Sequence, residues 1–200
     1  MRSQNPQTIE NLINELAKLP TIGRKSAERL AYKIVDMEKE DVFSLINAIK
    51  ETKENIKRCP ICGNITDIQI CSICSDQSRD KTMVMIVEDA KSISNLEKVG
   101  KYNGLYYIYG EIKTSDMGSV SDDRIKALEK RFLNSGVKEV IIAFSPTFEA
   151  DSVSFLITNI LKKYNIVISR IARGIPMGVN LDYFDENAFF SAVEERRRID

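Results

Sequence analysis

The residues with the most defined chemistry are four cysteines, Cys59, Cys62, Cys71 and Cys74, spaced C-x2-C-x8-C-x2-C. Each C-x2-C pair forms a tight knuckle that points two sulfurs at one place. Two knuckles supply the four thiolates of a tetrahedral zinc shell. Gly63 follows the first knuckle, where a left-handed turn lets backbone N–H groups face the sulfurs. The rival chemistries are a redox dithiol, two disulfides and an iron–sulfur cluster. A lone C-x2-C would leave the redox reading open, but two pairs eight residues apart point to zinc. With every ligand drawn from the protein, no position remains for water or substrate, so one structural ion per chain is expected. The sequence has no histidine. Ser-His-Asp and Cys-His catalysis are therefore excluded, and any metal site must use thiolate or oxygen ligands.

A second constellation is cationic. Leu19-Pro20-Thr21-Ile22-Gly23 interrupts a helical pattern, and Arg24, Lys25 and Arg29 follow it. Lys25 and Arg29 are four apart, hence on one helix face. The segment resembles the helix-hairpin-helix of DNA repair proteins, whose turn reads Pro-Gly-hydrophobic-Gly and holds a phosphate on backbone N–H groups without base readout. Thr21 stands where that pattern has its first glycine; a positive φ there would be costly for threonine. Residues 1–58 carry 11 basic and 9 acidic groups, a net of +2. That near balance keeps an ordinary αα-hairpin with solvated charges as the alternative.

The third constellation is acidic. Glu88 ends a predicted strand, and Ser145, Thr147, Glu149 and Asp151 follow another. This resembles the Toprim domain, whose catalytic members hold magnesium with a glutamate after the first strand and an Asp-x-Asp after a later one. Glu88 matches the glutamate; Ser145 and Thr147 replace the aspartates, and two neutral hydroxyls do not replace two formal charges. Glu149 and Asp151 are left three readings: a weak cation site, a face for a basic partner, or acids that favour the start of the helix after Pro146.

These residues need elements to hold them. Two hundred residues at 43% hydrophobic suffice for one sizeable core with small satellites. Charge balances at 29 basic and 29 acidic, so any nucleic-acid surface is local. The longest apolar runs, 83–87 and 140–144, fall far short of the roughly 18 residues that cross a bilayer. No signal-peptide core follows Met1, and a cytoplasmic protein with reduced thiols is expected.

Helical periodicity predicts three helices: one from Asn5 as N-cap and Pro6 as first residue, a second from about Arg24 with Ala27, Leu30, Ala31, Ile34 and Val35 on one face, and a third over 41–57 on Val42, Leu45, Ile46, Ile49 and Ile56. Residues 58–79 have too few large apolar side chains for a core. Beyond Lys81 strands at 83–88, 105–109, 139–144 and 166–171 alternate with helices at 90–99, 122–134 and 149–164, and a last helix starts near Glu186. The fold class is therefore α/β and multi-module, with a mostly parallel, helix-covered sheet.

The order of modules, with Val87-Glu88, Gly104-Leu105-Tyr106, Arg170-Ile-Ala-Arg173-Gly174-Ile-Pro176-Met-Gly178 and Leu181-Asp-Tyr183-Phe-Asp185, resembles the RecR family of bacterial recombination mediators over essentially the whole chain. The resemblance implies a division into a helix-hairpin-helix DNA-binding module (1–58), a four-cysteine zinc finger (59–79), a Toprim domain (80–172) and a C-terminal oligomerisation or partner segment (173–200). It implies a scaffold without catalytic activity that works with RecO and, in some bacteria, RecF to load recombinase at single-stranded gaps. It implies a homo-oligomeric ring, expected to be a tetramer, that binds DNA without sequence preference. By position, Arg24, Lys25 and Arg29 belong to the DNA-binding hairpin, the four cysteines are the zinc ligands, and Glu88 and Glu149 belong to an acidic face that meets RecO. The loop 111–121 keeps Gly118 but lacks the family's Ser-Pro and Gly-x-Gly-Pro. Arg173 is either an oligomer or partner contact, or the partner of Glu88 or Glu149 in a rigid loop. The first helix, Tyr183-Phe184 and Phe189-Phe190 are either interface or core, and Arg196-Arg197-Arg198 reads as a solvated helix end. Two other functions fit parts of the sequence: a magnesium-dependent Toprim nuclease or topoisomerase-like enzyme, and a zinc-bearing adaptor that binds only protein.

Overall fold

The structure, a computed structural model, describes residues 5–116, 122–133, 135–175, 178, 180 and 186–196. Gly118, Pro176, Leu181, Tyr183, Phe184, Asp185, Arg197 and Arg198 lie outside the described residues. The chain forms two compact units, Met1–Ile56 and Lys57–Asp200.

The smaller unit is helical. Helix α1 runs Gln7–Leu16, α2 Arg24–Val35 and α3 Lys39–Asn55. Pro6, not Asn5, occupies the N-cap position of α1, with φ −54° and ψ 146°. The Asn5 amide instead donates to Glu10 Oε1 at 2.9 Å, so it is drawn past the helix start it was expected to cap. Helices α1 and α2 meet through Ile13, Ala27 and Ala31, the small alanines allowing close approach, with Ile9, Leu12, Leu16 and Ile22 around them. The buried stripe of α2 is narrower than its periodicity implies: Leu30 and Val35 are 38% and 55% exposed. Helix α3 has no buried residue; Phe43, Leu45, Ile46 and Ile49 are exposed. Its amphipathic pattern is real, but among the described residues of this unit the apolar face joins no buried cluster.

The larger unit begins with a two-stranded antiparallel ribbon, β1 (Lys57–Arg58) with β2 (Ile65–Thr66), and a single turn of helix, α4 (Ser72–Ser75). A four-stranded parallel sheet follows, made of β3 (Asp80–Val87), β4 (Gly104–Ile108), β5 (Glu139–Ala143) and β6 (Val167–Arg170), in the order β4-β3-β5-β6. The central strand β3 is buried from Val84 to Val87, the continuous apolar run expected where both faces are covered. The flanking helices are α5 (Ala90–Val99), α6 (Asp122–Phe132) and α7 (Phe148–Leu161), with α8 (Glu186–Glu194) last. Their ends follow local chemistry. Asp89 caps α5 by accepting from Ser92 N–H at 2.7 Å, and Gly100 ends it at φ +65°. The core joins Val84–Val87, Tyr106, Val140 and Ile142 of the sheet to Ile93, Leu128, Phe132, Val153, Ile157 and Leu161 of the helices.

The cysteine segment has no core of its own: Cys59, Cys62, Cys71 and Ile73 belong to the sheet's cluster. A polar clasp ties its exit to the sheet. The Arg79 guanidinium donates to Glu97 and, at 3.1 Å, to Gly104 O, while Tyr106 OH donates to Glu97 Oε1 at 2.7 Å. Burial alone would raise the Glu97 carboxyl, but the hydrogen bonds from Arg79 and Tyr106 outweigh it and hold it below its ordinary value.

Candidate functional site

The hairpin turn is closed by Ile22 N–H on Leu19 O at 3.2 Å, and Thr21 sits at φ +68°, the left-handed conformation that a β-branched residue rarely adopts. Gly23 is the N-cap of α2, and no side chain caps that end. The first-turn N–H groups thus have no intrahelical partner and carry the positive end of the helix dipole. Arg24, Lys25 and Arg29 are all exposed, yet they do different things. Arg24 reaches back across the hairpin to Glu10 Oε2 at 2.7 Å and Asn14 Oδ1 at 3.2 Å, strapping α2 to α1. Lys25 and Arg29 have no hydrogen-bond or ion-pair partner among the described residues.

The four cysteine sulfurs lie within 4.8 Å of one another, and all four thiols are free of disulfides. Cys62 Sγ and Cys71 Sγ are 3.6 Å apart, close to the edge of about 3.8 Å that four sulfurs have around a tetrahedral zinc. The first knuckle is braced by Gly63 N–H on Cys59 O (2.9 Å), Cys59 N–H on Asn64 O (2.7 Å) and Asn64 N–H on Cys62 Sγ (3.4 Å). Gly63 takes the left-handed turn its position calls for, at φ +79°. Cysteines 59, 62 and 71 are buried and Cys74 partly so. In the metal-free chain the sulfurs are electrostatically unequal. The hydrogen bond with Cys74 and the Asn64 N–H pull Cys62 down to about 5, burial pushes Cys71 up to about 11, and Cys74 is driven up by its bond to Cys62 and by burial. Four thiolates this close are stable together only around a cation, and the donor set fits zinc.

The acidic constellation gathers at the C-terminal end of the sheet, at the β3/β5 crevice where the strand order reverses. Glu88, directly after β3, accepts from Ser145 N–H at 2.6 Å and from the Ser145 hydroxyl at 3.3 Å. Thr147 caps α7, its hydroxyl accepting from Ala150 N–H at 3.2 Å. The two hydroxyls that stand in place of aspartates thus bond within the protein, and one of them occupies Glu88. Glu149 accepts from Thr114 at 3.4 Å. Arg173 pairs with neither Glu88 nor Glu149. It forms a two-pronged ion pair with Asp151, Nη1 to Oδ2 at 2.8 Å, and its backbone N–H donates to Glu195 at 2.7 Å, while Arg170 also binds Glu195 at 2.6 Å. The Arg173 guanidinium holds the Asp151 carboxyl below its ordinary value. The acidic face expected at Asp151 thus meets Arg173 of this same chain, and Glu195, which no motif marks, completes the cluster. No spacing rule reaches from residue 151 to 195. Phe189 and Phe190 are 51% and 62% exposed and are not core. Arg196 folds onto Val193 O at 3.0 Å, as a helix-end residue does.

The arrangement defines a class: a helix-hairpin-helix, a four-cysteine zinc centre and a Toprim sheet whose acidic end is tied up by hydroxyls. Comparison with known proteins agrees module by module. Residues 9–53 match the family described as RecR, helix-hairpin-helix; residues 56–76 match the RecR zinc finger domain of four cysteines; and residues 82–172 match the Toprim domain. A recombination protein RecR of Finegoldia magna is 44% identical over 197 residues, 97% of this chain and 98% of that protein. One of Clostridium perfringens is 42% identical over 192 residues, 96% of each. The chain belongs to the RecR family of recombination proteins, which gives it a role in recombinational repair. Its cofactor is zinc, one structural ion at the four cysteines. None of the helices among the described residues is long and apolar enough to cross a membrane.

Proposed function

We propose that this chain is a cytoplasmic, non-catalytic scaffold that binds DNA without sequence preference and, with RecO- and RecF-type partners, helps load recombinase at single-stranded gaps. The observation that carries the reading is Lys25 and Arg29: two exposed cations, unpartnered among the described residues, beside the uncapped N-terminus of α2. That combination suits a backbone phosphate, since N–H groups and point charges meet the anion without reaching a base. Arg24 serves the same surface by holding the hairpin closed. The functional division is 1–58 for DNA, 59–79 for zinc, 80–172 for the Toprim platform and 173–200 for partners or self-association. Glu88, Glu149 and the Arg173 loop form the partner-binding end. Self-association into a ring is supported by the apolar face of α3, which its own unit leaves exposed. The enzyme reading is disfavoured by Ser145 and Thr147, which supply no charge for a divalent cation.

Titration of labelled duplexes of unrelated sequence over a salt series tests the binding claim. The affinities match at each salt and fall as salt rises, by about 0.9 in log–log slope for each phosphate neutralised. A strong preference for one sequence overturns it. Incubation of supercoiled plasmid with magnesium or manganese tests the rest: no nicking is expected, and nicking that disappears in Glu88→Ala would establish an enzyme.

A further inference from the structure

The first zinc knuckle does more than hold an ion. Strand β4 lies at the edge of the sheet, and among the described residues no strand neighbours its outward N–H groups. At the last residue of that strand, Ile108, the N–H is taken by the carbonyl of Cys62 at 2.7 Å. Directly beyond, Tyr109 N–H donates to Val87 O at 2.8 Å and Gly110 N–H to Glu88 O at 3.1 Å. A continuous main-chain path therefore runs from a zinc-ligating residue, across the end of β4, to the backbone of Glu88. The side chain of that same residue accepts from Ser145 N–H at 2.6 Å. Gly63 fits the same junction. A Cβ there would meet Ile108 Cβ at 3.3 Å, and the backbone is left-handed, so a side chain is both strained and crowded against β4.

We propose that the Cys59–Cys62 knuckle, with Gly63 and Ile108, is a positioning element for the acidic end of the sheet: zinc occupancy sets the order of Ile108–Gly110 and, through it, the placement of Glu88. When both thiolates are anchored on a shared ion, the Cys62 carbonyl is fixed and the edge of β4 is capped. When the ion leaves, the knuckle has too few apolar residues to keep its shape, the cap is lost, and the strand end frays. The zinc centre is then a switch on the partner-binding end. That last step rests on the partner reading of Glu88; the coupling itself does not.

Residue-resolved amide hydrogen exchange on the full chain tests the coupling, comparing the zinc-loaded protein, the protein stripped with a chelator, and the stripped protein with zinc restored. The Ile108, Tyr109 and Gly110 amides are expected to exchange about tenfold or more faster on stripping and to recover with zinc, while Val84–Ile86 keep their protection. Unchanged exchange at Ile108–Gly110 while the Cys59 and Gly63 amides become fast overturns the proposal. If stripping instead unfolds the whole sheet, Gly63→Ala decides at full zinc content. The same three amides accelerate if the proposal holds, and keep wild-type rates if it fails. No partner enters this readout. A Glu88→Ala protein that binds a RecO-type partner as tightly as wild type sinks the partner reading and leaves the coupling standing.

Discussion

Arg24, Lys25 and Arg29 look interchangeable in the sequence, and the structure separates them by what stands opposite. Glu10 and Asn14 claim Arg24, while Lys25 and Arg29 meet no carboxylate among the described residues. Spacing makes the pair on one face legible; the strap across the hairpin depends on α1, ten and fourteen residues away, and is not. Thr21 is the other residue whose cost is written in the sequence. At φ +68° it carries left-handed strain of about 1–2 kcal/mol, which a glycine removes at the expense of some unfolded-state entropy. Thr21→Gly should therefore stabilise the hairpin by about 0.5–1 kcal/mol, read as a rise in the denaturant midpoint at constant slope. A fall would mean the turn prefers threonine for a reason outside its backbone.

Among the elements, those bounded by local signals are the legible ones. Helix α5 begins and ends where Asp89 and Gly100 dictate, and β3 announces itself by an unbroken apolar run. Helix α3 shows the limit of periodicity: the pattern tells that a face is apolar, not that anything in the same unit covers it. The knuckles show another limit. Their spacing carries the zinc chemistry, but Ile108, the residue that leans on them, lies 46 positions beyond Cys62 and leaves no local mark.

The same knuckles make a pH prediction. In the metal-free chain Cys71 is pushed up to about 11 and Cys74 is also raised, so both hold protons near neutral pH and must release them on binding zinc. Zinc affinity should then rise with pH, by at least about a hundredfold per unit while both are protonated. Chelator competition at several pH values measures this, and a flat profile contradicts it.

At the scale of the whole molecule the puzzle is charge. The chain is neutral overall, and residues 1–58 carry a net of only +2, so a single hairpin would offer DNA few phosphate contacts. The proposed assembly would solve this by presenting several hairpins to one duplex, raising apparent affinity through effective concentration without any new contact. The resemblance carried by residues from the hairpin to the last strand makes the family legible. The surfaces that would build an assembly are legible only in part. Periodicity assigns Leu45, Ile46 and Ile49 of α3 to a core face and leaves Phe189-Phe190 as either interface or core, and all five prove exposed.

If hairpins of an assembled protein hold DNA through Lys25 and Arg29, removing both cations separates binding from assembly. Sedimentation velocity with a fluorescent duplex, run on wild type and on Lys25→Ala/Arg29→Ala, reads assembly and binding together. Both proteins should sediment as the same oligomer while only the wild type carries the duplex. A double variant that carries DNA as well as wild type, or a wild-type monomer that binds as tightly as the oligomer, rules out hairpin binding by an assembly.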